Sequence, residues 1–501
     1  MKRFLVCALV LACGPSGPPD VGDEDAGDAA SDVAVESGPT SAEQAAFDQL
    51  VQFTQTELQN SHVPGASIAV VLHGKLTFAA GVGKRNLTSG DPVTTSTLFR
   101  VASMSKMIVG TTAMSLVDQG KLDLGAPITQ YLPWFSLANG YDASTVTTAA
   151  LLTHTSGFPC DTIGICDSLT KGDRKAYFQG YPQPLWAPPG ETWDYSNTGF
   201  ALAAAVVEAA AGGAEGSYEQ LAHDRVFVPA GMTTATFDAT AAESGDHATG
   251  YTLSSNGTVQ GVVEPTTLEC VMLHPYGGVL ATASDYAHFA EMILAGGGTT
   301  LSNASALELT GPHADMHAFA SQSYGYGLIH QFSPYPDHAS VWHDGSLPGY
   351  LSELWMVPDL GFAVVVLTNA RGDSFDVPDD IIGTALSSFI QEARKVPPLT
   401  TTPSQWAGYL GTYDDDRATL GAGVAISLGD GGTTLVVDAP NAKDYSNNSL
   451  PVHGVMTQYA IDEWGMPDSF GTVATFFPAN GATSDAGASK YFVTRRGTAG
   501  R

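Results

Sequence analysis

Apolar residues along the chain follow two periods, and those periods outline most of its elements. Phe47, Leu50, Val51 and Leu58 recur on one helical face up to Asn60, behind an S-x-x-Q capping box formed by Ser41 and Gln44. Residues 66–71 and 76–80 predict two strands joined across His73-Gly74, with His73 as a turn residue. Met107-Ile108-Val109-Gly110, Ala113-Met114 and Leu116-Val117 make a helix apolar almost all round, which predicts burial, and Asp118-Gln119-Gly120 stops it. Residues 200–211 predict an Ala-rich helix, and Ser284-Asp285 introduces another over 286–294. Residues 351–357 and 362–368 read as paired strands around Pro358-Asp359-Leu360-Gly361, and 381–393 as an amphipathic helix. Helices at both ends with strands between them predict one α/β domain of mixed, α+β type over residues 41–396.

The flanks follow other rules. Lys2 and Arg3, an apolar run over 4–11 and Ala12 before Cys13 predict a signal segment over 1–13. Val10-Leu11-Ala12-Cys13 resembles a bacterial lipoprotein signal, which places the exported protein at the periplasm or cell surface on a lipid at Cys13. Plain secretion, with Cys13 lost or free, is the alternative. The run is too short to span a membrane. Residues 14–40 carry seven acids and no Lys or Arg, and predict a disordered linker. Pro397-Pro398-Leu399-Thr400-Thr401-Thr402-Pro403 marks a second linker over 397–405, and the Gly-, Thr- and Val-rich remainder, 406–501, predicts a small all-β domain.

Composition narrows the function. At 44% hydrophobic and 14% charged the chain is globular, and a formal charge of −30 argues against nucleic acid. Cys160 and Cys166 bracket a short loop, a plausible disulfide in an exported protein, which leaves Cys270 over. His154 has no partner at ligand spacing and reads as structural. No metal or cofactor is expected, and the partner is a small-molecule or peptide substrate.

The candidate chemistry lies at Ser103-Met104-Ser105-Lys106. Residues three apart share a helix face, so Lys106 stands one turn behind Ser103 as a proton acceptor. The hydroxyl of Ser103 would sit in the positive field of the helix start. Ser168-Leu169-Thr170-Lys171 has the same spacing but lies in a polar stretch with no apolar helix behind it. Tyr195-Ser196-Asn197 follows a Pro188-Pro189-Gly190 turn; the similar Tyr445-Ser446-Asn447 sits in a polar loop. The third motif is His343-Asp344-Gly345.

In this order the three motifs resemble the serine β-lactamase and penicillin-binding protein superfamily, most closely its class C-like branch, which also holds D,D-carboxypeptidases, D-aminopeptidases and esterases. The likeness covers roughly residues 41–393. It implies a β-lactamase/D,D-peptidase-like antiparallel sheet flanked by helices, with an all-helical lobe, and the trailing domain is similar to the lipocalin-like domain behind some of these enzymes. It also implies roles. Ser103 is the nucleophile, Lys106 and Tyr195 share its proton, and Asn197 binds the substrate's amide. The backbone N–H groups of Ser103 and Ser346 form the oxyanion hole. His343 and Gly345 stand where the family has Lys and Gly, and Asp344 where relatives commonly have a hydroxyl. If Asp344 faces the pocket it repels a substrate carboxylate; strand alternation equally permits it to turn away. These departures favour small esters or amides over β-lactams and free-acid peptides. A D,D-carboxypeptidase or β-lactamase is the alternative, and an inactive cell-wall-peptide-binding module the competing class.

Overall fold

The computed structural model describes residues 30–34, 39–138, 140–159, 173–214, 216–254, 256–316, 322–331, 338–371, 376–390, 410–414, 422–429, 434–440, 452–455, 457–460, 463–465, 472–478 and 489–496. The signal segment with Cys13, the Cys160–Cys166 loop, Ser168 and Lys171, the 397–405 linker and Tyr445 lie outside these residues.

Nine strands form one antiparallel sheet: β1 Ala30–Ala34, β2 Gly65–Leu72, β3 Lys75–Gly83, β4 Ala314–Asp315, β5 Ser323–Tyr324, β6 Ile329–Gln331, β7 Ser340–Leu347, β8 Tyr350–Val357 and β9 Phe362–Thr368. Their order is β1-β3-β2-β9-β8-β7-β6-β5-β4. Every residue of β2, β8 and β9 is buried, as their continuous apolar runs require of strands covered on both faces. The two hairpins turn where expected. His73 and Gly74 take φ 54° and 72°, and Gly361 takes φ 58° between β8 and β9. Strand β1 falls inside the stretch read as linker, and corrects that boundary. Its pairing with β3 uses main-chain groups at a sheet edge, which needs no apolar run to announce it.

Helix α1, Ser41–Asn60, has its cap one residue earlier than predicted, at Thr40. Thr40 and Glu43 form the capping box, because Thr40 Oγ1 accepts from the Glu43 N–H while Glu43 returns a bond to Thr40. Phe47 of α1 stacks on Phe78 of β3 at 4.4 Å and meets Phe389 of the last helix at 4.9 Å, which ties both ends of the domain to the sheet.

Helices α2 Ser105–Asp118, α3 Thr148–Leu152, α4 Arg174–Gly180, α5 Asn197–Ala210, α6 Tyr218–Ala222 and α7 His274–Gly277 pack on one another as a helical lobe. Helix α8, Ala283–Leu294, crosses β2, β3 and β9, and α9, Asp376–Phe389, packs beside α1. Residues 105–116 of α2 are all buried, so the apolar-all-round pattern is the sign of a central helix. Beyond residue 410 the described elements are strands only, in two four-stranded antiparallel sheets. Among the described residues no helix is long and apolar enough to cross a membrane.

Candidate active site

Where the helical lobe meets the sheet, a short strand, Phe99–Arg100, pairs with Leu280–Ala281 and feeds a 3-10 turn at Ala102–Met104 directly ahead of α2. Ser103 therefore sits on that turn rather than at the first residue of the helix. Ala102 holds φ 48°, a left-handed value that costs a non-glycine residue about 1–2 kcal/mol. The turn is pinned from both sides. Ser352 Oγ of β8 donates to the Val101 carbonyl at 2.7 Å, and Tyr286 Oη donates to the Met104 carbonyl at 3.1 Å.

Lys106 is fully buried and donates to three oxygens: Ser103 Oγ at 3.1 Å, Asn197 Oδ1 at 2.7 Å and the Tyr276 carbonyl at 3.2 Å. Three acceptors match the three hydrogens of an ammonium. The same Nζ lies 4.6 Å from the centre of the Tyr195 ring, within cation–π range. Asn197 is the first residue of α5, capped by Ser196, whose Oγ accepts from the Gly199 N–H. The Tyr195 tripeptide is thus a helix start aimed at Lys106.

His154 fixes that segment. Its carbonyl accepts from the Asp194 N–H at 2.8 Å and its Nδ1 accepts from the Ser196 N–H at 3.0 Å, one bond on each side of Tyr195. Its ring lies 4.3 Å from Tyr195 and 4.4 Å from Tyr324. Burial, then the charge of Lys106, holds His154 well below the ordinary histidine value, so it is the neutral acceptor that this geometry needs. Sequence reading found its structural character but not this link to Tyr195.

His343 lies on β7 with 1% of its side chain exposed. Burial, then the nearby Lys106 charge, pushes it down to about 3. Tyr324 is buried and held well above the usual phenol range, so its O–H donates to His343 Nε2 at 2.7 Å. Nδ1 then carries the hydrogen and donates to the Asp344 carbonyl at 2.6 Å. Both ring nitrogens are occupied and the imidazole is neutral.

Register resolves the orientation of Asp344. Directly opposed residues share a face, and Gly345 opposes Ser352, which bonds the Ser103 turn. Asp344 opposes Glu353, whose carboxyl is raised above its ordinary value by burial and by the neighbouring Asp379 of α9. By alternation Asp344 leaves the strand on the opposite side from Gly345, and its carboxylate lies along the edge of the His343 ring, with Oδ1 3.7 Å from Nδ1. A Cβ added at Gly345 would overlap Ser352 Oγ and the Val101 carbonyl and stand 3.0 Å from Ala102 Cβ, so only glycine lets β7 lie flush on the Ser103 turn. Ser346 follows on the same strand, opposite Leu351.

The structure thus brings Ser103, Lys106, Tyr195, Asn197 and His343 together, with Gly345 against the turn. Tyr276, His154 and Tyr324 join them through contacts that no local motif announces. Cys270 is disulfide-bonded to a partner outside the described residues, which corrects its reading as the leftover cysteine. Among the described residues no cluster of three or more His, Cys, Asp or Glu is placed to hold a metal ion.

Comparison with known proteins bears on the family and the fold. The Beta-lactamase family model matches residues 45–387. Penicillin-binding protein 4 of Amycolatopsis lactamdurans is 31% identical over 374 residues, covering 70% of this chain and 93% of that protein. Among solved structures, the octameric penicillin-binding protein homologue from Pyrococcus abyssi superposes with a TM-score of 0.62 at 22% identity, over 87% of this chain and 96% of that one. The D-amino acid amidase from Ochrobactrum anthropi SV3, complexed with L-phenylalanine amide, superposes at 0.58 and 22% identity, over 69% of this chain and 98% of that one. The two structures speak for the fold.

Proposed function

The chain belongs to the beta-lactamase family, and we propose that it is a serine hydrolase acting through an acyl-enzyme on Ser103 on small neutral esters or amides. The observation that carries this reading is the bond from Lys106 Nζ to Ser103 Oγ, in a lysine also held by Asn197 and the Tyr276 carbonyl. In the proposed reaction Ser103 Oγ attacks the carbonyl carbon while Lys106 and Tyr195 share the removal of its proton: Tyr195 Oη, acting as a phenolate, takes it, and the Lys106 ammonium beside the ring stabilises that anion. The developing oxyanion accepts from the backbone N–H groups of Ser103 and Ser346, each such donor lowering the barrier by about 2.7–4 kcal/mol. Asn197 orients the substrate's amide. The leaving alcohol or amine takes the proton back, and water then attacks the Ser103 ester by the same route to release the acid.

The substrate class follows from His343. A neutral imidazole with both nitrogens engaged offers a carboxylate neither charge nor a free donor, and the three hydrogens of Lys106 already have acceptors. A substrate with a free carboxylate would therefore bury that charge poorly compensated. The likeness to a penicillin-binding protein supports the second reading, a D,D-carboxypeptidase or β-lactamase. Export on a lipid at Cys13 belongs to the same proposal and rests on the sequence of residues 1–13.

A panel of a short-chain p-nitrophenyl ester, D-phenylalanine amide and a chromogenic cephalosporin tests the assignment by kcat/KM. The ester or amide is expected to lead. A clear preference for the cephalosporin would overturn the neutral-substrate reading. No turnover of any of them, with no covalent labelling by a fluorophosphonate, would favour an inactive binding module.

A further inference from the structure

Behind the Ser103 turn lies a set of buried charges that the proposed chemistry does not use. The segment from His274 to Val279 is fastened to the turn at four points. The Tyr276 carbonyl accepts from Lys106, the Gly278 carbonyl accepts from Arg100, the Val279 carbonyl accepts from the Val101 N–H, and the Val279 N–H donates to Ser105 Oγ. His274 anchors the start of that segment. Its Nδ1 lies 2.7 Å from Glu219 Oε1 and its Nε2 lies 2.9 Å from Glu269 Oε1. An imidazole bonds two carboxylates at once only when both nitrogens carry hydrogen, which is the cation.

The surroundings favour that cation. Glu219 also accepts from Arg174 at 2.6 Å, Arg174 donates to Glu208 at 2.7 Å, and Glu269 accepts from Arg100 at 3.0 Å. Cations and carboxylates thus alternate from α5 to the strand ahead of Ser103, with His274 at the centre. The groups facing it are Glu219 from α6 and Glu269 from the loop before α7. Behind these stand Arg174 of α4, Glu208 of α5 and Arg100 of the strand, with Lys106 of α2 beyond Tyr276.

We propose that His274 is a positioning residue, an imidazolium whose bridge between Glu219 and Glu269 holds the Tyr276 carbonyl against Lys106, and whose loss of a proton slackens that hold and slows acylation. The proposal rests on Ser103 and Lys106 being the reacting pair. Although burial opposes charge on His274, hydrogen bonds to the two carboxylates outweigh it and raise the group above the ordinary histidine value. Burial likewise opposes charge on Glu219, yet its bond to His274 and the charge of Arg174 hold it down to about 2. For a raised histidine the hold is fully present below the ordinary histidine value and is lost as pH rises through the raised one.

The test is the rate of fluorophosphonate labelling from neutral to alkaline pH for wild type, His274→Gln and Ser103→Ala. His274→Gln is expected to label roughly 10- to 100-fold more slowly at neutral pH, the scale of a small misplacement of a reacting group. The gap should close at alkaline pH, where wild type has lost the same proton. A ratio that stays constant with pH would overturn the proposal and leave His274 a purely structural part. Labelling that persists in Ser103→Ala would instead sink the reading on which the proposal stands. If His274→Gln does not fold, the ring-nitrogen NMR signals of His274 in wild type, assigned through the Phe237 ring 5.3 Å away, decide the matter. An imidazolium persisting above the ordinary histidine value supports the bridge; a ring that loses its proton at or below that value overturns it.

Discussion

Gly345→Ala probes the contact on which the geometry of the Ser103 turn depends. The added methyl would overlap Ser352 Oγ and the Val101 carbonyl, the two atoms joined by a 2.7 Å hydrogen bond beneath the strand, and would stand 3.0 Å from Ala102 Cβ. None of these neighbours is the free end of a long side chain, so β7 and the turn must separate. Losing the Ser352 bond costs about 0.5–1.5 kcal/mol net. Overpacking adds about 1–3 kcal/mol. A total near 2–4 kcal/mol should appear as a lower urea midpoint at unchanged slope. Activity should suffer more than stability, because a shift of the Val101–Ser103 backbone by about 1 Å costs up to ~100-fold in rate. Urea unfolding followed by tryptophan fluorescence reads the first effect, and the fluorophosphonate labelling rate reads the second. Gly383→Ala is the control: it lies within α9, where a Cβ meets nothing within 4 Å, and should gain about 0.5–1 kcal/mol with labelling unchanged. Wild-type labelling by Gly345→Ala would refute the idea that β7 presses on the Ser103 turn.

Two other substitutions test the far side of that strand. Glu353 is buried, its Oε1 has no hydrogen-bond partner among the described residues, and burial together with Asp379 raises its carboxyl well above the ordinary value. Its folded state holds a proton that the unfolded state has released, so wild type loses stability as pH rises from the ordinary carboxylate value through the raised one. Glu353→Gln should therefore gain on wild type with rising pH in urea unfolding; a pH-independent difference would rule out titration of Glu353 as its source. Asp344 leaves the strand on the same side as Glu353, so Asp344→Thr should leave the ester-to-cephalosporin ratio of kcat/KM unchanged, whereas a narrowed ratio would place the carboxylate in the pocket.

Local pattern made much of the domain legible. The hairpin turns at His73-Gly74 and Gly361 and the buried helix behind Ser103 follow from residues close together in the chain. Helix ends were less exact. The cap of α1 lies at Thr40 instead of Ser41, since both positions offer a hydroxyl with a suitable residue three ahead and the local pattern does not choose between them. The supports of the site were not legible for a different reason. Tyr324 meets His343 from 19 positions away and Tyr276 meets Lys106 from 170, so neither contact leaves a spacing to read. His154 was visible only as the end of a helix; its bond to Ser196, beside Tyr195, spans 42 positions. Asp344 shows the complementary limit. Alternation along a strand leaves two faces, and only the opposition of Gly345 to Ser352 and of Asp344 to Glu353 tells them apart.

The central claim is that Ser103 carries the acyl group. Its most direct test is peptide mass spectrometry of the full chain after reaction with a fluorophosphonate, alongside Ser103→Ala treated in the same way. The account predicts a single adduct on the peptide containing Ser103, abolished in Ser103→Ala and unaffected by Ser168→Ala. An adduct on Ser168, or one that survives in Ser103→Ala, would contradict it.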